Sequence, residues 1–250
     1  MTNIALSGAN GTMGKVIARL VESRNDCTII ARIDPFGDDC YSKPSDIKEK
    51  VDVIIDFSHP AALPDLLTYC KMKNIPLVAA TTGYNTDDVG AIKSASSQIP
   101  IFFTGNMSLG INLLQDLARR AVRVLGDQFD IEIIEKHHNL KKDAPSGTAH
   151  MLADSIGEEF KNQKRYVYDR HDKLKAREKD EIGIHAIRGG TIVGEHEIIF
   201  AGHDEVITLS HSALSKEVFA VGAINAAIFL KNQAKQARLY DMSDLLRSTT

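Results

Sequence analysis

Over its first hundred residues the chain alternates short apolar runs with amphipathic stretches. Residues 3–7, 28–33, 51–57, 77–80 and 101–103 are brief aliphatic or β-branched runs bounded by turn residues, the pattern of strands buried on both faces of a parallel sheet. Helical spacing fills the gaps at 15–22, 61–73 and 87–97, with Pro60 and Pro64 tolerable only near the start of the second helix. Residues 38–50 are polar, contain Pro44 and show no period, so they read as a connection. Strand and helix in strict alternation predict an α/β unit, a Rossmann-like doubly wound parallel sheet that takes ligands at the C-terminal ends of its strands.

The pattern changes after residue 110. Residues 112–125 form a helix with Leu113, Leu114, Leu117, Ala121, Val124 and Leu125 on a broad apolar face. A strand at 131–135 and a helix at 149–160 follow, then a densely charged surface excursion over 161–180. Three more strands are expected at 182–188, 191–200 and 206–211, with Gly189-Gly190 and Gly202-His203-Asp204 as hairpin-like turns. This half is therefore α+β, with a mixed or antiparallel sheet. Residues 216–230 read as a last helix, whose Phe219, Ala220, Ala223, Ala226, Ala227 and Leu230 suit close packing on a sheet.

Two segments carry chemistry. The first is Gly8-Ala9-Asn10-Gly11-Thr12-Met13-Gly14, lying between a strand and a helix. Its G-x-x-G-x-x-G spacing lets the backbone approach a pyrophosphate resting on the helix N-terminus. The second strand then ends at Asp34, about 20 residues beyond the last glycine, where a carboxylate meets the adenosine ribose. Asp34 can accept from both ribose hydroxyls and would repel a 2′-phosphate, which favours NADH. Pro35 supplies no arginine for that phosphate, but Arg32 and Lys43 stand near in sequence and leave NADPH open.

The second segment is residues 130–150, DIEIIEKHHNLKKDAPSGTAH. A β-branched run delivers His137 and His138 at its end, lysines follow, and Ser146-Gly147-Thr148 opens the next helix behind Pro145. Imidazoles, ammonium groups and a helix N-terminus together suit an anionic substrate. A His-His pair beside lysines is by itself an ordinary solvated turn, and only the whole string argues for a site.

That string resembles the signature of the dihydrodipicolinate reductase family: an acidic residue, a variable one, His-His, variable residues, Lys, one variable residue, then Asp-Ala-Pro-Ser-Gly-Thr. Glu135, His137, His138, Lys141, Asp143, Ala144, Pro145, Ser146, Gly147 and Thr148 match it. The resemblance implies reduction of 4-hydroxy-tetrahydrodipicolinate by NADH or NADPH on the diaminopimelate route to lysine. It implies that Lys141 neutralises charge on a small dicarboxylate and that His137 gives the proton. His138, Ser146, Gly147 and Thr148 would bind a carboxylate; the sequence leaves open whether Lys142 competes with Lys141 as the catalytic ammonium. Ala80-Thr81-Thr82 and Thr104-Gly105-Asn106-Met107 match segments lining the nicotinamide side of the cofactor, with Ala80 where many members have glycine. Arg188 before Gly189-Gly190 matches a further family segment, though an arginine closing a strand is more often structural. The last helix and the tail at 242–246 would return to the first domain. Residues 1–108 and 217–250 then bind the dinucleotide, and 109–216 bind substrate and present one sheet face for a homotetramer.

Composition narrows the alternatives. Net charge −3 and a pI near 6.3 offer no general attraction to nucleic acid or an anionic membrane surface. The longest apolar stretch, 219–230, is too short to span a bilayer and contains Asn225. Cys27, Cys40 and Cys70 have no metal-ligand spacing and are odd in number, which fits a reducing cytoplasm. The chain opens on a short apolar run and a glycine turn, with no signal-peptide pattern. No metal is expected, since His137 and His138 are adjacent and point to opposite sides of a strand, and no His-Glu-x-x-His or cysteine cluster exists. A covalent aldehyde dehydrogenase would need a cysteine in the second half, and all three lie before residue 71. A catalytically inactive nucleotide sensor remains the alternative, and keeping His137 beside Lys141 speaks for the enzyme.

Overall fold

The computed structural model describes residues 1–161, 163–171, 174–234 and 236–248. The chain divides into two compact units, Met1–Leu109 with Glu217–Thr250, and Gly110–Lys216. The first begins with β1 (Thr2–Ser7), α1 (Thr12–Glu22), β2 (Cys27–Ile33), β3 (Val53–Asp56), α2 (Leu63–Lys73), β4 (Leu77–Ala79), α3 (Thr86–Ala95) and β5 (Ile101–Phe103). The strands are parallel in the order β2-β1-β3-β4-β5. Successive residues point to opposite faces, so each strand feeds two cores. Ile4, Leu6, Val53, Ile55, Val78 and Phe102 pack with Ile17 and Val21 of α1, whereas Ala5, Ile54, Leu77 and Ile101 pack with Leu66 of α2 and Ile92 of α3.

The second unit comprises α4 (Leu109–Leu125), β6 (Asp130–His137), α5 (Gly147–Glu159), β7 (Arg165–Val167), β8 (Glu181–Arg188), β9 (Gly194–Ala201) and β10 (Val206–Ala213). Its sheet runs β10-β9-β6-β8-β7, parallel across β6, β8 and β7 and antiparallel across β9 and β10. Ile131, Ile133, Ile182, Ile184, Ile198 and Phe200 turn one face of this sheet toward α4 and α5.

Three expectations for this half are corrected. Gly189-Gly190 is not a hairpin turn, because β6 pairs with both β8 and β9 and lies between them; β9 and β10 do form a hairpin, around Gly202-His203-Asp204. The charged stretch 161–180 is not merely a surface excursion, since β7 pairs within it along β8; its residues 162, 172 and 173 lie outside the described ones. On α4 the buried stripe is Ile111, Leu114, Ala118 and Val122, a 3-4-4 spacing that turns Leu113, Leu117 and Val124 outward.

The chain then returns to the first unit as α6 (Glu217–Gln233), β11 (Leu239–Tyr240) and α7 (Met242–Arg247). β11 adds a sixth parallel strand beside β5. A Cβ at Gly222 would lie 1.8 Å from the Met107 carbonyl oxygen, so glycine there lets α6 press on the turn after β5. No helix among the described residues is long and apolar enough to cross a membrane.

Candidate functional site

In the first unit the glycine turn leaves β1 and enters α1. Gly8 has φ +76°, and a Cβ on it would lie 2.4 Å from the Phe57 carbonyl oxygen. Gly14 is equally constrained, with its Cβ position 2.2 Å from the Gly8 carbonyl oxygen, which brings α1 hard against the turn. Gly11 is the α1 N-cap and no side chain caps the helix, so its first-turn N–H groups face the open side of the turn, where Asn10, Gly11 and Thr12 are exposed. That is the cradle a pyrophosphate needs. Ala9 is buried beneath it and Met13 is partly buried.

Asp34 directly follows β2 and braces the glycine turn. Its Oδ2 accepts the Asn10 N–H at 3.0 Å and its Oδ1 accepts the Phe36 N–H at 3.0 Å, tying the glycine turn to the end of β2. Each oxygen keeps a lone pair for a further donor.

The ends of β3, β4 and β5 carry the other candidates. Asp56, fully buried at the end of β3, accepts from Ser58 N–H at 3.2 Å, Thr81 Oγ1 at 2.8 Å and Tyr84 OH at 3.0 Å. Burial first, and Asp56 second, raise the Tyr84 phenol, so it remains a donor. The Thr81 hydroxyl is thus committed to the protein, while Thr82 is exposed and Ala80 lines the core. After β5, Asn106 Oδ1 accepts the Ser108 N–H at 2.8 Å, and Thr104 Oγ1 donates to the Asn106 carbonyl at 3.3 Å. Gly105 is exposed between them and Met107 is buried.

In the second unit the site grows from Glu135. Ile131, Ile133, Glu135 and His137 share the helix-facing side of β6, so the strand's period carries a carboxylate into the core at 0 % exposure. Arg188 grips it with both terminal nitrogens, Nη2 to Oε1 at 2.7 Å and Nη1 to Oε2 at 2.8 Å. The Ser146 N–H donates to Oε1 at 3.0 Å, and His137 Nδ1 lies 2.7 Å from Oε2. Burial alone would raise the Glu135 pKa, but Arg188, His137 and the Ser146 N–H outweigh it and hold the carboxyl below its ordinary value. An ionised Glu135 is acceptor-only, so His137 donates Nδ1–H to it and presents Nε2 to the site.

The loop beyond β6 completes the constellation. His138 lies past the strand end, and its carbonyl accepts the Lys141 N–H at 3.1 Å. Lys141 Nζ pairs with Asp143 Oδ1 at 2.8 Å, a contact that lowers the Asp143 pKa, while Lys142 is exposed. Arg188 also donates to the Asp143 carbonyl at 2.6 Å, so the residue expected to be structural braces both the signature loop and the buried acid. Ser146 caps α5 by accepting the Ala149 N–H at 3.2 Å, and Gly147 is exposed at the first position of that helix with Thr148 next to it.

Two residues of this site escape a reading by motif. His196 of β9 sits opposite Glu135, is 5 % exposed, and places Nε2 3.1 Å from Ser146 Oγ. Its ring meets that of His137 edge-on, centroids 5.3 Å apart. Gly194 leaves room for His137, since a Cβ there would lie 3.1 Å from Nε2. The available signal was the alternation Gly194, His196, Ile198, Phe200, which puts one imidazole in an apolar row.

Comparison with known proteins joins the two units. Residues 2–107 match the model described as dihydrodipicolinate reductase, N-terminus, and residues 110–246 match that of dihydrodipicolinate reductase, C-terminus. The chain is 49% identical over 251 residues to a 4-hydroxy-tetrahydrodipicolinate reductase of Caldanaerobacter subterraneus subsp. tengcongensis, covering 99% of each. It is 46% identical over 253 residues to the protein of that name from Clostridium novyi, again covering 99% of each. Among solved structures, a dipicolinate-bound dihydrodipicolinate reductase from Paenisporosarcina sp. TG-14 shares the fold, with a TM-score of 0.77 at 23% identity over 96% of this chain and 97% of that one.

Proposed function

This chain belongs to the dihydrodipicolinate reductase family, and we propose that it converts 4-hydroxy-tetrahydrodipicolinate to tetrahydrodipicolinate on the diaminopimelate route to lysine. When bound, NADH or NADPH supplies the hydride. Gly8 to Met13 hold its pyrophosphate and Asp34 its adenosine ribose, while Thr82 and the turn from Thr104 to Met107 serve the nicotinamide end.

The observation that carries the reading is the Glu135–His137 pair, because it gives one imidazole a defined tautomer with Nε2 turned to the site. Reduction adds a hydride to the conjugated imine left after water departs, and a proton must follow. His137, doubly protonated, provides it from Nε2 and is left as the Nδ1–H tautomer that Glu135 holds. Lys141 neutralises the negative charge that builds on the dianionic substrate, with Asp143 holding its ammonium until substrate arrives. The N-terminus of α5 at Ser146, Gly147 and Thr148, together with His138, receives a carboxylate.

In the cell the same reading makes the protein a cytoplasmic homotetramer that assembles through the sheet face of the second unit not covered by α4 and α5. Exposed Ile187 and Val206 lie on that face. The direct test is oxidation of NADH and NADPH by the purified protein with freshly made 4-hydroxy-tetrahydrodipicolinate. No turnover with either nucleotide would overturn the reading. Sedimentation of the purified protein tests the tetramer separately.

A further inference from the structure

We propose that His196 is a positioning residue, fixed as its Nε2–H tautomer, which turns the Ser146 hydroxyl into an obligatory donor toward a substrate carboxylate. The inference rests on the reading that the N-terminus of α5 receives that carboxylate.

The argument counts hydrogens on two atoms. His196 is 5 % exposed, and its Nδ1 is buried without a partner among the described residues. Burial, and then the neighbouring His137, push its pKa down to about 4, so near neutrality it carries a single N–H. A stranded N–H in the interior is rarer and costlier than a stranded lone pair. The hydrogen therefore sits on Nε2, which lies 3.1 Å from Ser146 Oγ. That oxygen already accepts the Ala149 N–H as the α5 cap, so His196 fills its second lone pair.

What is left on Ser146 is its own O–H, and both acceptor positions being taken, it can act only as a donor. Ser146 is 2 % exposed and adjoins exposed Gly147 at the first position of α5, where the carboxylate would be received. Ser146 N–H is held by Glu135, which also holds His137, so the donor that binds the carboxylate is set in register with the imidazole that delivers the proton. His196 stays uncharged at the edge of the His137 ring and adds no competing positive charge there. His211, opposite His196 on β10, is also pushed down by burial and leaves that environment neutral from the other side. The ion pairs around this cluster are Glu135 with Arg188 and Lys141 with Asp143.

The test compares His196→Leu, His196→Gln, Ser146→Ala and the His196→Leu/Ser146→Ala double variant. The readouts are kcat, KM and inhibition by dipicolinate. His196→Leu should raise KM and the dipicolinate inhibition constant on the order of tenfold, the scale of one hydrogen bond to a charged group, with a smaller change in kcat. Glutamine carries an N–H at similar reach and should restore most of the loss. Ser146→Ala should match the leucine variant, and the double variant should be no worse than either. If Ser146→Ala weakens dicarboxylate binding and His196→Leu does not, the His196 proposal fails while the carboxylate site stands. Unchanged binding in Ser146→Ala would instead remove the carboxylate reading at α5 and the proposal with it. Additive losses, or no rescue by glutamine, would reduce His196 to packing and overturn the proposal. Long-range ¹H–¹⁵N spectra of the histidine-labelled wild-type protein give a check independent of any variant: an Nε2–H signal for His196 supports the assignment, and an Nδ1–H signal overturns it.

Discussion

At the C-terminal ends of β1 to β5 the groups offered to a ligand are mainly backbone N–H groups and short side chains, whereas at the end of β6 they are ionisable side chains braced by a buried carboxylate. The difference matches what the proposed roles ask of each part. A pyrophosphate needs convergent N–H donors, which a glycine turn at a helix N-terminus supplies whatever the side chains around it. Delivering one proton from Nε2, the role proposed for His137, needs a fixed ring orientation, and this requires an acceptor for Nδ1–H that water cannot replace. Glu135 is that partner, and its four contacts to Arg188, Ser146 and His137 offset the cost of burying a charge. The first unit is therefore sensitive to added atoms at its glycines, and the second to removed charges.

The sharpest way to break this contrast is at His137. His137→Ala should lower kcat by ~10² to 10⁴ with KM for the dicarboxylate nearly kept, as expected for loss of a placed general acid. Lys141→Ala should impair both parameters. Steady-state kinetics decide it, and near-normal turnover in His137→Ala with none in His138→Ala would reverse the two histidines.

Next in size is removal of the buried acid. Glu135→Ala strands the Arg188 guanidinium and should cost ~3–5 kcal/mol of stability, measured by denaturant unfolding. Glu135→Gln keeps the shape and should lose less stability but most of the turnover, because the tautomer of His137 is no longer imposed. A Glu135→Ala protein as stable as the parent would show that the network does not hold the unit together.

Acid should separate the units. The His196 pKa falls from 6.5 to about 4, so the unfolded chain takes up a proton below 6.5 that the native imidazole refuses. The stabilisation is complete above pH 6.5 and is lost as pH falls toward 4, about 3 kcal/mol in all. In the first unit Asp52 and Asp244 are held below 3.8 despite burial, by the Asn3 N–H and Lys231 and by Arg238 respectively, and their contribution is lost only below that value. Amide exchange, corrected for intrinsic rates, should show β6 and β9 losing protection between pH 6.5 and 4 before β1 and β3. Equal loss in both units would break the comparison.

Smaller effects belong to the nucleotide turn. Gly8→Ala places a Cβ where φ is +76° and the Phe57 carbonyl is 2.4 Å away, and it should cost more than ~1 kcal/mol of stability. NADH and NADPH should weaken alike in a fluorescence titration of that variant. Asp34→Ala should distinguish them, raising the NADH dissociation constant about tenfold more than that of NADPH, because it removes an acceptor and a repulsive charge together. The released Asn10 and Phe36 N–H groups would add a loss common to both nucleotides.

What the sequence determined by itself was whatever depends on local period and local chemistry. Strand and helix spacing placed the elements of the parallel sheet to within a few residues, and Gly8, Gly11 and Gly14 marked the glycine turn, because backbone geometry sets periods of 2 and 3.6 and a Cβ at Gly8 or Gly14 would run into backbone atoms. The block from Glu135 to Thr148 was legible as a unit since its residues adjoin along the chain. Tertiary structure alone decided that β6 enters between β8 and β9, and that the short strands β7 and β11 pair at all, since too few residues lie in each to show a period. It also decided that Arg188 reaches Glu135 across 53 positions and that His196 reaches Ser146 across 50. Register between distant segments is settled by how whole faces pack against α4 and α5, and that global balance is written in no single stretch of residues.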